Sequence, residues 1–590
     1  MKKLIAILLA LTMCVALVAA CDPEITPAEE PPATEEPTVD DPAPAPADDE
    51  IPDTPPGRLE ELGLDENRRF IEQRTITVQA WERDESPIGT VFTDYIIEGM
   101  LNEHNVVVEF VGTGRWQDPD EITIMLAEGT APDVCYTFNY PTVENFGLQG
   151  LDADGNEIEG RTTIWDLEQF LNDSGDVFPN LWERLGRSLL YWNQDAETGR
   201  IWAILGKQAF NQRYIPFIRE DWLAELDLPL PTNVQEFEDS LIAFRDNADT
   251  LLGSDARQMI PLHMTDDVGW LIGVMAGAYM PDNITDREFY IHDVGGARNF
   301  FQPGVKEAVR VLNKWFNEGL MHPDFALFTT GDDAPDNLVR AGFVGAIASH
   351  SWDQPYRGGD EGWTGLMHAA QSTDANFIAV DTFLNDAGQY RKYLGGGQDR
   401  TLFVPASSTE PVAALMYLDF LSRAETTIFL QVGVEGINHE VQENGALMNL
   451  PVAPGDPHHM SSGMNYDLTM PTNGLDLNDL HLTTISRAVG YAGIESRLIE
   501  AAVAVQMNGV RIIGNVDAGT IAAEEGMGDT IRERGNAAWA RAIVAPVDQF
   551  DAVYDSEMAD LLSNFAQAAI DERTAAWEAR WGSATMLPTD

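Results

Sequence analysis

Cysteine is nearly absent from this chain. Of 590 residues only three carry a thiol: Cys14 inside an apolar N-terminal run, Cys21 directly after it, and Cys135 in the apolar stretch PDVCYTF. This excludes a disulfide-dense scaffold, so stability must come from a buried core. Cys135 itself reads as a small buried hydrophobe rather than a reactive thiol. Basic residues are scarce too, 36 Lys plus Arg against 96 Asp plus Glu, a formal net charge of −60. Only 6 of the basic residues are lysine. Such a surface repels phosphate backbones and anionic lipid headgroups, which excludes nucleic acid as a partner. The leader carries +2 and residues 22–57 carry −12, which leaves −50 on the rest. A charge of that size repels itself at low ionic strength, and salt that screens it is expected to stabilise the fold. Catalytic motifs are missing as well: there is no G-x-S-x-G, no H-E-x-x-H and no G-K-[ST]. With carboxylates so numerous, no pair stands out as a glycosidase acid and base. Neither an enzyme nor a cofactor is expected.

What is present begins at the N-terminus. The opening MKKLIAILLALTMCVALVAAC has a basic pair, Lys2-Lys3, an apolar run from Leu4 to Val18, and small residues before Cys21. That pattern reads as an export signal over residues 1–20, its apolar core too short for a membrane span. Val18-Ala19-Ala20-Cys21 resembles the lipobox of bacterial lipoproteins, which implies cleavage before Cys21 and acylation of it. Two or three acyl chains hold a protein at a membrane where one does not. The resemblance therefore implies a mature protein that is extracytoplasmic and lipid-anchored to the bacterial cell membrane. Residues 21–57 are rich in proline and acid, contain no serine, and cannot form a core. They read as an extended tether of about 35 residues, on the order of 100 Å long if largely polyproline-like.

Order is expected from Arg58. TITVQAW (75–81) reads as a buried strand, VFTDYIIEGMLNEHN as an amphipathic helix, VVVEFVGTG as a second strand, and DEITIMLAEGTAPDVCYTF as a helix followed by a third strand. Alternation of strand and helix predicts an α/β fold with mainly parallel sheets flanked by helices. From residue 480 onward the pattern is mostly helical.

Several stretches, in order along the chain, carry a family resemblance. They are YIPFIREDWLAELDLPLPTNVQEFEDSLIAFRDN (214–247), VLNKWFNEGLMHPDFA (311–326), RAGFVGAIASHSW (340–352), LFVPASSTEPVAALMYLDFLSRAE (402–425) and VGVEGINHE (432–440). Together they are similar to the extracellular solute-binding proteins of family 1. These are the substrate-binding lipoproteins of carbohydrate ABC importers, in the maltose-binding-protein superfamily. The resemblance implies a two-lobed, periplasmic-binding-protein type II-like fold with a helical C-terminal extension, closing on ligand at the cleft. It places the N-terminal lobe at 58–205 and 377–440 and the C-terminal lobe at 206–376 and 441–590. It implies a monomer whose partners are a carbohydrate ligand and ABC permease subunits. A polysaccharide-acting lipoprotein enzyme, or a binding or sensing module for a non-sugar solute, remains the alternative. The family's tyrosine after EG is His439 here.

Ligands of open α/β sheets sit beyond the carboxyl ends of strands, so residues just after strands are the candidates. Sugars ask for aromatic rings against their C–H faces and for polar side chains around their hydroxyls. Trp352 follows the strand FVGAIAS, with His350 and Asp353 beside it, and in sugar-binding relatives a tryptophan after this strand stacks on ligand. Trp81, Glu82 and Asp84 follow the first strand. Tyr136, Phe138, Asn139 and Tyr140 follow the third, with the weight on Asn139 and Tyr140. Arg213 and Gln208 lie where the chain first crosses between lobes. His263, Asp267 and Trp270 lie in PLHMTDDVGWLIG, and Trp116 in GTGRWQDPDE. Two metal-like patterns fail on spacing. DADGNEIEG (152–160) lacks the glycine and glutamate positions of a calcium loop and reads as a β-turn. His458-His459 are adjacent and cannot both face one ion from a regular element.

Overall fold

A computed structural model of the chain describes residues 53–586 apart from short internal stretches: 83–85, 116–117, 153–154, 185–193, 196–197, 209–213, 266–267, 282, 295–299, 329–332, 349–350, 358, 386–387, 389–390, 395–397, 461–464, 492, 509, 514–520 and 525–526. The leader, Cys21 and the tether up to residue 52 lie outside the described residues.

Strand β1 (Arg74–Glu82) and strand β2 (Val106–Gly114) are the two expected at TITVQAW and VVVEFVGTG. Both are rich in β-branched residues, which suit a pleated, buried surface. They pair in parallel from Arg74 opposite Val106 to Glu82 opposite Gly114. The intervening helix runs Val91–Gly99 and ends in a π-helical turn, Met100–His104. Strand β3 (Cys135–Thr137) joins the other side of β1: Gln79 N–H donates to the Val134 carbonyl at 2.9 Å, and Val134 N–H to the Thr77 carbonyl at 3.1 Å. Strand β4 (Ile204–Gln208) belongs to the same sheet, but two strands from distant sequence complete it. They are β10 (Gln398–Phe403), antiparallel to β3 and β4, and β13 (Thr472–Asn473), parallel to β4. Strands linked by a helix run parallel, whereas β10, which arrives from the other lobe, runs against its neighbours.

A second sheet, ordered β6-β7-β5-β8, comprises β5 (Phe217–Arg219), β6 (Ile260–His263), β7 (Val344–Ile347) and β8 (Phe377–Ala379). Every residue of these four strands is buried. They are therefore near-continuous apolar runs covered on both faces. Strand β9 (Arg391–Leu394) pairs in parallel with β14 (Val510–Ile513), and β11 (His439–Val441) with β12 (Leu447–Asn449) forms a small hairpin.

Each sheet has its own core, which makes two lobes. The first gathers Ile76, Val78, Phe92, Ile96, Val106 and Val108 around the helix Pro411–Ser422. That helix is apolar almost all round, as a helix inside a core must be. The second gathers Phe217, Ile218, Leu241, Leu262, Leu312 and Trp315. The return to the first lobe, expected at residue 377, comes later. Phe377, Ile378, Ala379, Val380 and Phe383 belong to the second core, because β8 takes its edge position beside β5. Conversely Met460, Leu468 and Met470, expected in the second lobe, pack in the first core, where β13 joins the sheet. The C-terminal helices Gly528–Val544, Phe550–Leu561 and Gln567–Trp581 extend the second lobe. Asn313 donates to the carbonyls of Ala542, Ile543 and Ala545, satisfying the open end of the first of these helices.

Candidate functional site

The carboxyl ends of β1 and β3 build one wall. Trp81 is buried where β1 ends, and its backbone N–H donates to the Tyr136 Oη at 3.0 Å. The Tyr136 hydroxyl in turn donates to the Asp467 carbonyl at 2.9 Å. Burial pushes this phenol well up, so it stays a protonated donor. Beneath it, Tyr136 N–H donates to Gln79 Oε1 and Gln79 Nε2 to Thr113 Oγ1, which fixes the stack from below. The Trp81 ring lies 4.1 Å from Tyr136 and 5.1 Å from Phe138. Phe138 is the outward member, 45% exposed. The Arg115 guanidinium sits 5.0 Å from Trp81 and 5.3 Å from Phe138, and 3.7 Å from the Asp467 carboxylate. Arg400, on β10 and buried, reaches the carbonyls of Tyr466 and Thr469, the Asn473 amide oxygen at 3.3 Å and the Asp467 carboxylate at 3.7 Å.

A second wall follows β7. Ser351 bridges to Tyr214, the first described residue after the chain crosses from β4. Asp353 accepts from Ser351 Oγ at 2.8 Å, from Arg357 Nη2 at 2.7 Å and from the Tyr491 hydroxyl at 3.1 Å. Trp352 is only 6% exposed and packs in the second core, with the Arg487 guanidinium 5.8 Å from its ring.

Residues 465–487 tie the walls together. The segment starts in the first lobe, where Asn465 donates to the Leu430 carbonyl, and passes through β13. It continues into the helix Leu480–Val489, whose Ala488 packs in the second core. Arg487 returns a hydrogen bond of 2.8 Å to the Leu475 carbonyl. Arg184 donates to Thr472 Oγ1 at 2.7 Å and to Asp476 at 3.2 Å, and Lys207, near the end of β4, lies 3.9 Å from the same carboxylate. Tyr466 feels charges of the second lobe. Burial pushes its phenol up to about 12, Arg487 pulls it back, and Asp353 adds to the rise.

Several expected contacts change role. Trp81 and Tyr136 are fully buried and support Phe138 rather than offering a surface themselves. Asn139 is a helix N-cap: its side chain accepts from Thr142 N–H at 3.3 Å at the start of the helix Tyr140–Leu148. Tyr140 packs against a small satellite core. His263 is buried within β6, edge-on to Trp363, and belongs to the second lobe's interior. Trp352 is a core residue, because the turns after β7 fold it inward, while the half-buried Asp353 pairs with the exposed Arg357. Glu82 lies against Gly112, where a Cβ would meet its Oε1 at 2.5 Å, so glycine there leaves room for the carboxylate. Trp270 sits on the helix Gly269–Tyr279. Asp84, Trp116, Arg213, Asp267 and His350 lie outside the described residues.

Around the stretch 152–160, Gly155 N–H donates to the Asp152 carbonyl, and Asn156 N–H to the Asp152 carboxylate. Arg200 brings a positive charge to it, donating to the Gly155 carbonyl and to Glu157. Among the described residues, no three His, Cys, Asp or Glu side chains converge as a metal site would. No helix among them is long and apolar enough to cross a membrane. Local patterns did not point to Arg115, Arg400, Tyr466, Asp467, Arg487 or Tyr491. Each is one polar residue in an ordinary stretch, and only the packing of 465–487 between the lobes brings them together.

By sequence, the chain matches no protein-family profile and no curated protein. By structure it is similar to solute receptors. An extracellular solute-binding protein from Bifidobacterium longum subsp. infantis aligns with a TM-score of 0.57 at 15% identity, over 86% of this chain and 99% of that one. Alginate-binding protein AlgQ2, solved without calcium ion, gives 0.54 at 15% identity over 86% and 98%. The ABC-transporter substrate-binding protein FusA of S. pneumoniae, in complex with kestose, gives 0.53 at 15% identity over 85% and 99%. The chain has the two-lobed α/β fold of these proteins.

Proposed function

From this fold, we infer that the chain is an extracytoplasmic receptor that binds a carbohydrate, an oligosaccharide, between its lobes and delivers it to an ABC importer. The observation that carries this reading is Phe138. It is an exposed ring mounted on a buried Trp81–Tyr136 stack at the carboxyl ends of β1 and β3. The second lobe carries its own cluster of hydroxyl and carboxylate groups after β7, Asp353, Ser351 and Tyr491, joined by hydrogen bonds. An aromatic platform with a few convergent polar groups, where strands end, is what a sugar's apolar face and hydroxyl rim require. The alginate and kestose receptors that share the fold add support. A ligand that touches both walls favours the closed arrangement by its differential affinity, and closure is what a permease would read. Acylation at Cys21 and the acidic tether would hold the receptor, as a monomer, at the outer face of the membrane.

The test is a ligand-induced melting shift over a panel of neutral and anionic oligosaccharides. We expect stabilisation by at least one class, with no new reducing ends on prolonged incubation. Phe138→Ala should weaken binding about tenfold, the order of an aromatic stacking contact, and leave the ligand-free melting temperature nearly unchanged. A panel with no stabilising saccharide would sink the proposal.

A further inference from the structure

We propose that the saccharide taken by this cleft is anionic, and that Lys207, backed by the buried Arg184, receives its carboxylate or sulfate group. This rests on the carbohydrate reading of the same cleft and adds the charge of the ligand. With a net charge of −60, the chain has carboxylates to spare, and elsewhere it gives them freely to its cations. Lys306 has Asp551 at 3.0 Å and Asp555 at 2.6 Å; Arg310 has Glu307 and Asp551; Arg497 has Glu220 and Glu495; Arg200 has Glu157 and Asp166. Beside the segment 465–487 the ratio inverts. Among the described residues, Asp476 alone serves both Arg184, at 3.2 Å, and Lys207, at 3.9 Å.

The two cations differ in a useful way. Arg184 is 4% exposed and clamped by Thr472 and Asp476. Burial lowers its pKa, and Asp476 acts against that shift. Lys207 is 48% exposed and stands at the next-to-last residue of β4, where the chain leaves for the second lobe. Only four lysines follow the leader, and one of them is here. Half exposed near the carboxyl end of β4, this ammonium can form a charge-assisted contact that Asp476, at 3.9 Å, leaves open. A strongly acidic surface repels an anionic ligand, so capture needs such a local excess of positive charge.

The experiment is calorimetric titration of the full mature chain with oligouronates of several backbones. Each oligouronate is paired with its methyl-esterified form, and sulfated galactose oligosaccharides form a separate arm. We expect at least one free acid, or a sulfated sugar, to bind about tenfold or more tighter than its neutral counterpart, the order of one hydrogen bond to a charged group. The carboxylate and sulfate arms identify which anion is read. Lys207→Met should abolish that preference and Lys207→Arg should keep it, with both variants melting as the parent does. Equal binding of acid and ester, or a preference that survives in Lys207→Met, overturns the inference and leaves the carbohydrate reading standing. Failure of every saccharide to bind overturns both.

Discussion

Trp352 takes a core place where sequence order suggests a ligand contact, while Phe138 stays exposed. Trp352 directly follows a strand, which favours ligand contact, but its ring is packed in the second core. Trp352→Ala should therefore destabilise the protein by about 3–5 kcal/mol, the range for deleting a large core aromatic, visible as a clear drop in melting temperature. An unchanged melting temperature would show that the ring is not a core element. A second residue-scale prediction concerns His104. Its Nδ1 lies 3.0 Å from the Arg68 carbonyl and its Nε2 2.9 Å from Arg423. Arg423 can only donate, so Nε2 must accept and the ring must be neutral. Burial, reinforced by Arg423, holds its pKa below the usual 6.5. On acidification the unfolded chain binds this proton first. The contribution to stability is thus present above about pH 6.5 and is lost as pH falls through the lower folded value. Denaturant titrations between pH 7 and 5 should show a shallower loss for His104→Gln than for the parent.

Among the elements, the helix Pro411–Ser422 shows what can and cannot be read in advance. Its apolar composition marks it as buried, yet Asp419 interrupts it without local explanation. In the structure Asp419 accepts from Asn180 Nδ2 at 2.8 Å, Leu181 N–H at 2.9 Å and Arg68 Nη1 at 3.3 Å. These three groups lie far away in sequence and are ordered by one buried carboxylate. Asp419→Ala strands them, and should cost about 3–5 kcal/mol, as expected for breaking a buried charged pair from one side. Chemical denaturation measures it, and a loss below about 1 kcal/mol would mean that water replaces the carboxylate. The strands β1 and β2 were legible because β-branched runs declare themselves locally. Strand β13 was not: it is two residues long, and it exists only because β4 offers it an edge.

For the whole molecule, charge dominates. A net charge of −60 opposes compaction, and screening reduces that opposition. The melting temperature should rise between low and molar sodium chloride; a flat or falling curve would show that local ion pairs already neutralise the repulsion. The lobes meet through the segment 465–487, so ligand-driven closure would act on the contacts of Arg487 with Leu475 and of Arg184 with Asp476.

The sequence by itself determined the fold class, strands β1 to β3, the acidic surface and the strand ends where a site would lie. Periodicity, composition and the carboxyl-end rule are local or global quantities that need no coordinates. Tertiary structure alone decided which aromatic is exposed and where the chain returns between lobes. It also decided which cations share a carboxylate. Burial and charge pairing depend on residues hundreds of positions apart, and no local pattern records them.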